Sequence, residues 1–360
     1  MSDISIGLMS GTSRDGVDAA AVDFAQSPPA LIGTHSVPYP LALRHDVQSV
    51  SEGSRDRLDD VMALSVSLAK AYAACANALI EKIGVKPRVI GSHGQTVRHR
   101  PENGFTVQLG CGAIIAEMTG VPTVTDFRAM DIALGGEGAP LVPAFHQAVF
   151  SASREQRAIV NIGGIANVTL LLADVEPRGF DTGPGNTLLD HWFRAHQDGD
   201  WDHKGQWSAQ GQIIQPLLET MLSDGYFRRA APKSTGLEYF NMEWLSACLA
   251  GDEAPADVQA TLRALTARSI LLGIQDNATG VEAIYVCGGG AQNTALMQEI
   301  QSVASGYSVN TTVPLGIDPQ WVEASAFAWL AYQRLEEKPG NLPSVTGAKR
   351  PAILGALYLP

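Results

Sequence analysis

Twice in this chain an apolar run ends in a small glycine turn and a second apolar run leaves it. The first copy covers 4–10 and 17–24 around Ser10-Gly11-Thr12-Ser13, and the second covers 158–163 and 166–173 around Gly163-Gly164. Each reads as a β-hairpin whose tip offers bare backbone N–H groups, with hydroxyls added in the first. Glycine removes the side chain that would hold a ligand off, so such a tip can approach a polyphosphate closely. The candidate phosphate-contacting residues are Gly11, Thr12, Ser13, Arg14, Asp15, Gly16, Val17 and Asp18 in one copy, and Gly163 and Gly164 in the other. Asp15 and Asp18 are available to a hydrated Mg²⁺, which prefers one or two carboxylates plus phosphate oxygens. Alone, the first turn is equally an ordinary hairpin. A third signal, Ala283–Cys287 followed by Gly288-Gly289-Gly290-Ala-Gln-Asn293 and a helix over 294–304, is strand, glycine turn, helix. None of the three matches G-x-x-x-x-G-K-[ST] or G-x-G-x-x-G.

The chain of 360 residues has room for two domains of ordinary size. Its 45% hydrophobic content and 36 glycines indicate filled cores and many tight turns. A net charge of −12 argues against nucleic acid or an anionic membrane as partner, since both need basic surface. An anionic substrate must then be met by local amides, a metal and a few chosen arginines. Unbroken apolar runs fall short of a bilayer span, and Met1-Ser2-Asp3 lacks the basic start of a signal peptide. Cys75, Cys111, Cys248 and Cys287 are scattered without a C-x-x-C pair, as expected of small apolar residues in a reducing cytoplasm.

Alternating α and β signals fill both halves. After the first hairpin come a strand at 30–37, a helix over 54–83 with Leu64, Leu68, Ala71 and Cys75 at helical spacing, strands at 88–92, 105–109 and 121–125, and helices at 111–119 and 140–150. The second half repeats the plan: strands at 178–180, 283–287 and 307–312, and helices near 186–196, 209–223, 241–249, 255–278 and 320–337. An apolar Ile353–Leu359 is expected to dock as a strand. The expected domains are 1–138, joined by the tail 345–360, and 139–344, with ligands in a cleft between them.

Candidate chemistry centres on Gly179-Phe-Asp-Thr-Gly-Pro-Gly-Asn186. With the strand ending at Phe180 and a helix starting after Asn186, Asp181 is expected beside a helix N-terminus whose dipole keeps it ionised as a base. The alternative is a turn cap. Glu323 interrupts an otherwise apolar helix, an unusual place for a free carboxylate, with a partly exposed helical Glu as the alternative. His93 is a sugar contact or a structural histidine. Arg128 suits bidentate recognition of a carboxylate, or an internal pair with Asp126 or Asp131. Asn241 follows the Ser234-Thr-Gly turn and is a candidate cleft residue, and Gly135-Gly-Glu-Gly138 is a lid, hinge or plain connector.

Two glycine hairpins and a strand-glycine-helix turn resemble the actin/hexokinase/Hsp70 superfamily, which implies two RNase H-like α/β domains flanking an active-site cleft. The resemblance has one departure: the first hairpin usually carries Asp two positions before its glycine, and here that position is Met9. More specifically, M-S-G-T-S-x-D-G-V-D at 9–18, G-S-H-G-Q-T-V at 91–97, Asn161-Ile-Gly-Gly-Ile-Ala-Asn-Val-Thr169, F-D-T-G-P-G-N at 180–186, Ser234-Thr-Gly-x-Glu-Tyr-Phe-Asn241, and Val322-Glu-Ala324 with Phe327-Ala-Trp-Leu330 are similar to the anhydro-N-acetylmuramic acid kinase family. These motifs span nearly the whole chain. The resemblance implies a cytoplasmic, dimeric, Mg²⁺-dependent enzyme of cell-wall recycling. It implies 1,6-anhydro-N-acetylmuramic acid, ATP and water as substrates, with N-acetylmuramic acid 6-phosphate and ADP as products. Asp181 then activates the water and Glu323 helps hold it. ATP falls on both hairpins with Gly288, Gly289, Gly290 and Asn293, and the sugar on His93, Arg128, Asn186 and Asn241. Two rival readings stand beside it, a sugar kinase acting on a free hydroxyl and a nucleotide-dependent sensor without sugar chemistry.

Overall fold

A computed structural model of the chain describes residues 3–11, 14–152 and 155–360. The strands are β1 (Ile4–Met9), β2 (Gly16–Asp23), β3 (Ala30–Pro38), β4 (Val89–Ser92), β5 (Gln95–Arg100), β6 (Phe105–Leu109), β7 (Thr123–Thr125), β8 (Arg157–Ile162), β9 (Ile165–Leu171), β10 (Arg178–Pro184), β11 (Ala283–Cys287), β12 (Ser308–Thr311) and β13 (Ala356–Tyr358). They fall into two compact units, Met1–Phe150 with Trp321–Pro360, and Ser151–Gln320.

The first unit carries the sheet β13-β7-β4-β1-β2-β3. β1, β2 and β3 are antiparallel, while β1, β4 and β7 are parallel. β1 is buried along nearly its whole length. Leu64, Leu68, Tyr72, Cys75 and Leu79 from the helix Leu58–Ile83 join Ile4, Ile6 and Leu8 in the core. The other helix at this sheet, Val322–Leu335, rests on a notch. Gly7 and Gly91 are cross-strand partners, and a Cβ on either would stand 1.8 Å from the Ala324 carbonyl oxygen or 2.1 Å from that of Phe327. Only glycine admits a helix backbone so close. That packing draws 321–360 into the first unit, further than the expected return at 345, and the helix Val142–Phe150, which packs on Val322–Leu335, comes with it.

The helix expected over 54–83 is Leu58–Ile83. Leu41–Glu52 precedes it, stopped by Gly53 in the left-handed region at φ 80°, and only Val47 and Val50 of that helix are buried. Its apolar signal was too sparse to read. β5 was missed for the same reason, being the polar run Gln-Thr-Val-Arg-His-Arg paired to β6 in a separate ribbon. By length and composition alone Leu58–Ile83 is apolar enough to cross a membrane, although Asp, Ser, Lys and Asn residues break its apolar runs; one face of it lies in the core of this unit. The strand expected near the C-terminus is β13, antiparallel to β7.

The second unit repeats the sheet, in the order β10-β9-β8-β11-β12. Again the first three strands are antiparallel and the last two parallel to the first. Each unit thus has the 3-2-1-4-5 order of an RNase H-like fold of the actin/hexokinase/Hsp70 type. Val160, Ile162, Val168 and Phe180 pack with Ile270 and Ile274 of the helix Pro255–Asn277 and with Leu296 and Ile300 of Thr294–Val303. A second cluster gathers Leu188, Trp192, Leu218 and Leu262 from the surrounding helices and Phe240 from the turn before Met242–Cys248.

Candidate active site

In the first unit, β1 and β2 pair with Met9 opposite Asp18, and directly opposed residues project from the same face of a sheet. The carboxylate missing at Met9 therefore has a counterpart straight across the ladder. Ser36, the register partner of Asp18 on β3, donates to its carboxylate. Burial pushes the Asp18 carboxyl upward, the Ser36 bond opposes this, and the charge of Asp15 adds to it. Asp15 is exposed, whereas Val17 is buried, so Val17 can meet a ligand only through its backbone. Arg14 adopts φ 56° and its N–H reaches the Gly11 carbonyl at 3.3 Å. Thr12 and Ser13, both expected at the phosphates, lie outside the described residues.

Residues that sequence reasoning missed hold the flanks of this turn. Ser10 Oγ donates to Gln95 Oε1 at 2.8 Å, and Gln95 Nε2 donates to the Gly11 carbonyl at 3.3 Å. The Tyr39 hydroxyl donates to Ser10 Oγ at 2.8 Å and lies 3.2 Å from the Tyr72 hydroxyl. The Tyr39 N–H bonds the Asp15 carbonyl at 2.8 Å, so one residue grips both flanks. The only sequence signal was Gln95, a buried-type position within G-S-H-G-Q.

Glu323 sits in the first turn of Val322–Leu335, half-buried, while Val322 and Ala324–Ala331 are buried. The positive end of the helix dipole favours a carboxylate there. Arg128 donates to the Gly138 carbonyl at 2.8 Å and to His93 Nε2 from Nη2 and Nε at 2.9 and 3.3 Å. A guanidinium has no acceptor, so Nε2 accepts and the ring proton resides on Nδ1. Burial and the Arg128 charge push His93 down to about 3, which keeps it neutral. Burial brings Arg128 down to about 10, against the charges of Glu323 and Asp131. Phe327 lies 4.7 Å from the His93 ring. His93, Arg128, Glu323 and Phe327 are therefore gathered in one unit, and Arg128 answers Glu323 and Asp131 rather than Asp126. Asp131, fully buried, accepts from Gly138 N–H, Asn341 and Thr346 at 2.8, 2.6 and 2.7 Å. Those bonds pin the 135–138 loop to its own unit as a connector.

In the second unit, β10 runs on to Pro184, with a register shift between Asp181 and Gly183. Asp181 is thus inside a strand rather than at its end. It accepts the Thr235 N–H at 3.0 Å. Burial pushes the carboxyl up to about 6, the reverse of the expected dipole effect, because desolvation outweighs that one bond. A carboxylate raised to that range still ionises at neutral pH and makes a stronger base.

Three glycine turns meet beside it in the same unit. The N–H groups of Gly185 and Asn186 bond the carbonyls of Gly164 and Gly163 at 2.9 and 2.8 Å. Asn186 Nδ2 reaches the Ile162 carbonyl at 3.3 Å, tying that side chain to the hairpin. A Cβ on Gly288 would lie 2.3 Å from Asn161 Oδ1, and one on Gly290 2.3 Å from Ile162 Cγ2. By contrast, a Cβ on Gly163 or Gly289 would meet nothing closer than 3.6 or 3.8 Å. Gly288 and Gly290 thus let the turns pack, and Gly163 and Gly289 are open to a ligand. Asn293 caps Thr294–Val303 through Leu296 N–H at 3.0 Å. Asn241 likewise caps Met242–Cys248 through Trp244 N–H at 2.9 Å.

Among the described residues no group of three or more His, Cys, Asp or Glu side chains forms a metal cage. Within the first unit, the Asp15/Asp18 pair beside the hairpin tip fits an ion carried mainly by phosphate oxygens and water. A family model described as anhydro-N-acetylmuramic acid kinase matches residues 3–360. A protein of that name from Saccharophagus degradans is 49% identical, with 99% of this chain and 98% of the relative covered. Its namesake from Nitrosomonas europaea is 47% identical over 98% and 99%. One from Coxiella burnetii is 46% identical over 98% and 96%.

Proposed function

The chain belongs to the anhydro-N-acetylmuramic acid kinase family, and from that premise we propose how its own residues open and phosphorylate the bridged sugar. It is a kinase using ATP with Mg²⁺, and converts 1,6-anhydro-N-acetylmuramic acid, ATP and water to N-acetylmuramic acid 6-phosphate and ADP, a step of peptidoglycan recycling. The reading of its site rests on one observation: a half-buried carboxylate, Asp181, raised to about 6 and held beside three packed glycine turns.

Asp181 takes the proton of a water that attacks the anomeric carbon, and Glu323 orients that water. The C1–O6 bond breaks as O6 takes the γ-phosphoryl group of ATP. An inverting glycosidase needs a second carboxyl to protonate its leaving oxygen. Here the phosphoryl group captures the charge on O6, so one base suffices. The amides of Gly163, Gly164 and Gly289 and the flanks of the first hairpin hold phosphate oxygens. Asp15 and Asp18 would hold Mg²⁺, which would supply neutralisation of phosphate charge. Neutral His93 orients Arg128 through Nε2, and Arg128 supplies positive charge for the carboxylate of the sugar.

We also propose a cytoplasmic homodimer. ATP as substrate suits a reducing compartment, as do the thiols of Cys75, Cys111 and Cys248, which form no disulfide among the described residues. Leu58, Met62 and Val66, spaced four apart on one helix, are 75%, 54% and 37% exposed and offer an apolar stripe to a second copy.

Turnover in ¹⁸O-labelled water tests the mechanism. The label is expected at C1 and the α anomer first, because water enters opposite a bridge locked on the β face. Label in the phosphate ester, or the β anomer appearing first, rules it out; a kinase for free hydroxyls incorporates none.

A further inference from the structure

We propose that Tyr226 and Lys233 are positioning residues for Asp181, forming a brace from one loop that fixes the backbone and carboxylate of the base. β10 is the edge strand of its sheet, so the outward N–H and C=O of its residues have no partner strand. At Asp181 both are met by the segment 226–235. Its N–H donates to the Lys233 carbonyl at 3.0 Å, and its carbonyl accepts the Tyr226 hydroxyl at 2.8 Å. The same segment supplies the Thr235 N–H to the carboxylate at 3.0 Å. Three bonds thus define where Asp181 sits, and the adjoining register shift leaves this position without the support of an unbroken ladder.

The segment is closed by a buried cation. Lys233 is 8% exposed, and a lysine so placed costs free energy unless its ammonium is used. Its Nζ donates to the carbonyls of Tyr226 and Phe227 at 3.3 and 3.2 Å and lies 4.8 Å from the centre of the Tyr226 ring. The ammonium therefore locks the phenol that holds the Asp181 carbonyl, while the main chain of the same lysine holds the Asp181 N–H. The arrangement acts on the base through its backbone and carboxylate. Its value is geometric, since a base displaced by about 1 Å loses up to roughly 10²-fold in rate.

The brace rests on Asp181 being the base, and the test separates the two claims. Tyr226→Phe removes only the hydroxyl, and Lys233→Met keeps the stem without the charge. Arg229→Ala is the control: that guanidinium lies 5.6 Å from the Tyr226 ring and makes no bond in the brace. In the first two variants kcat is expected to fall at least about tenfold, with KM for ATP and for the bridged sugar within about twofold. The Asp181 and Thr235 amides are expected to exchange hydrogen at least about tenfold faster, and Arg229→Ala to change none of these by more than about twofold. A folded Tyr226→Phe with kcat within twofold of wild type overturns the brace, even if its melting temperature drops. If wild type does not turn over the bridged sugar, the kinase reading fails; the brace is then decided by exchange alone, and unchanged protection at both amides overturns it.

Discussion

Asp181 carries two opposed demands, and both can be measured on one substitution. Its carboxyl is raised to about 6 by burial, so the protonated form is the one the fold prefers. Relative to the ordinary value of 3.8, this acid favours folding below that value and loses the benefit as pH rises through about 6. Asp181→Asn is therefore expected to melt higher than wild type at pH 8, with the gain vanishing near pH 4, while Asn still accepts the Thr235 N–H. The same variant is expected to lose about 10²–10⁴ in kcat with ATP and sugar affinity within a few fold. Wild-type kcat/KM should fall on the acid side with a midpoint near 6, and His93, held near 3, should contribute no limb above pH 5. An acid limb that survives unchanged in Asp181→Asn at measurable residual activity would assign it elsewhere. Motifs made three of these residues legible, since Asp181, Glu323 and His93 lie in recognisable strings, while Arg128 stood out only as an arginine suited to a carboxylate. Their environments were not legible: the raised acid, the neutral histidine and the Arg128–His93 bond come from partners up to tens of residues away.

At the scale of elements, the glycine turns divide by what a side chain would strike. Gly163→Val points into open space, so a folded protein with KM for ATP raised about tenfold or more is expected. Gly290→Val drives a Cβ to 2.3 Å from Ile162 Cγ2, and is expected to destabilise the second unit by about 1–3 kcal/mol, the usual cost of overpacking. Thermal melts and ATP kinetics on the two variants check the contrast, which fails if both lose stability alike. Sequence patterning marked all the glycines as one class because it sees spacing and not neighbours. The hairpins and long helices were readable from their periodicity, down to β13 near the C-terminus. The helix Leu41–Glu52 and β5 were not, because short amphipathic segments with few buried residues leave little apolar signal.

For the molecule as a whole, the exposed Leu58–Met62–Val66 stripe bears on assembly. Met62→Lys is expected to shift a dimer to monomer in sedimentation velocity at micromolar concentration without changing the melting transition of the isolated monomer, since Met62 is 54% exposed and outside the core. A wild-type monomer, or a variant that stays dimeric, removes this surface from the interface. The sequence by itself determined the α/β class, the twofold recurrence of hairpin-first units, the family, and the strings that hold the chemistry. Those are local properties: strand and helix periods, turn glycines and motif spacing are all written within a few residues. The tertiary structure alone decided that Gly7 and Gly91 stand side by side to seat the helix bearing Glu323, and that this helix belongs with the N-terminal sheet. It alone decided that Asp18 faces Met9, and that a loop fifty residues on braces Asp181 from the open side of an edge strand. Register and desolvation depend on which distant segments pack together, and no spacing along one chain encodes that directly.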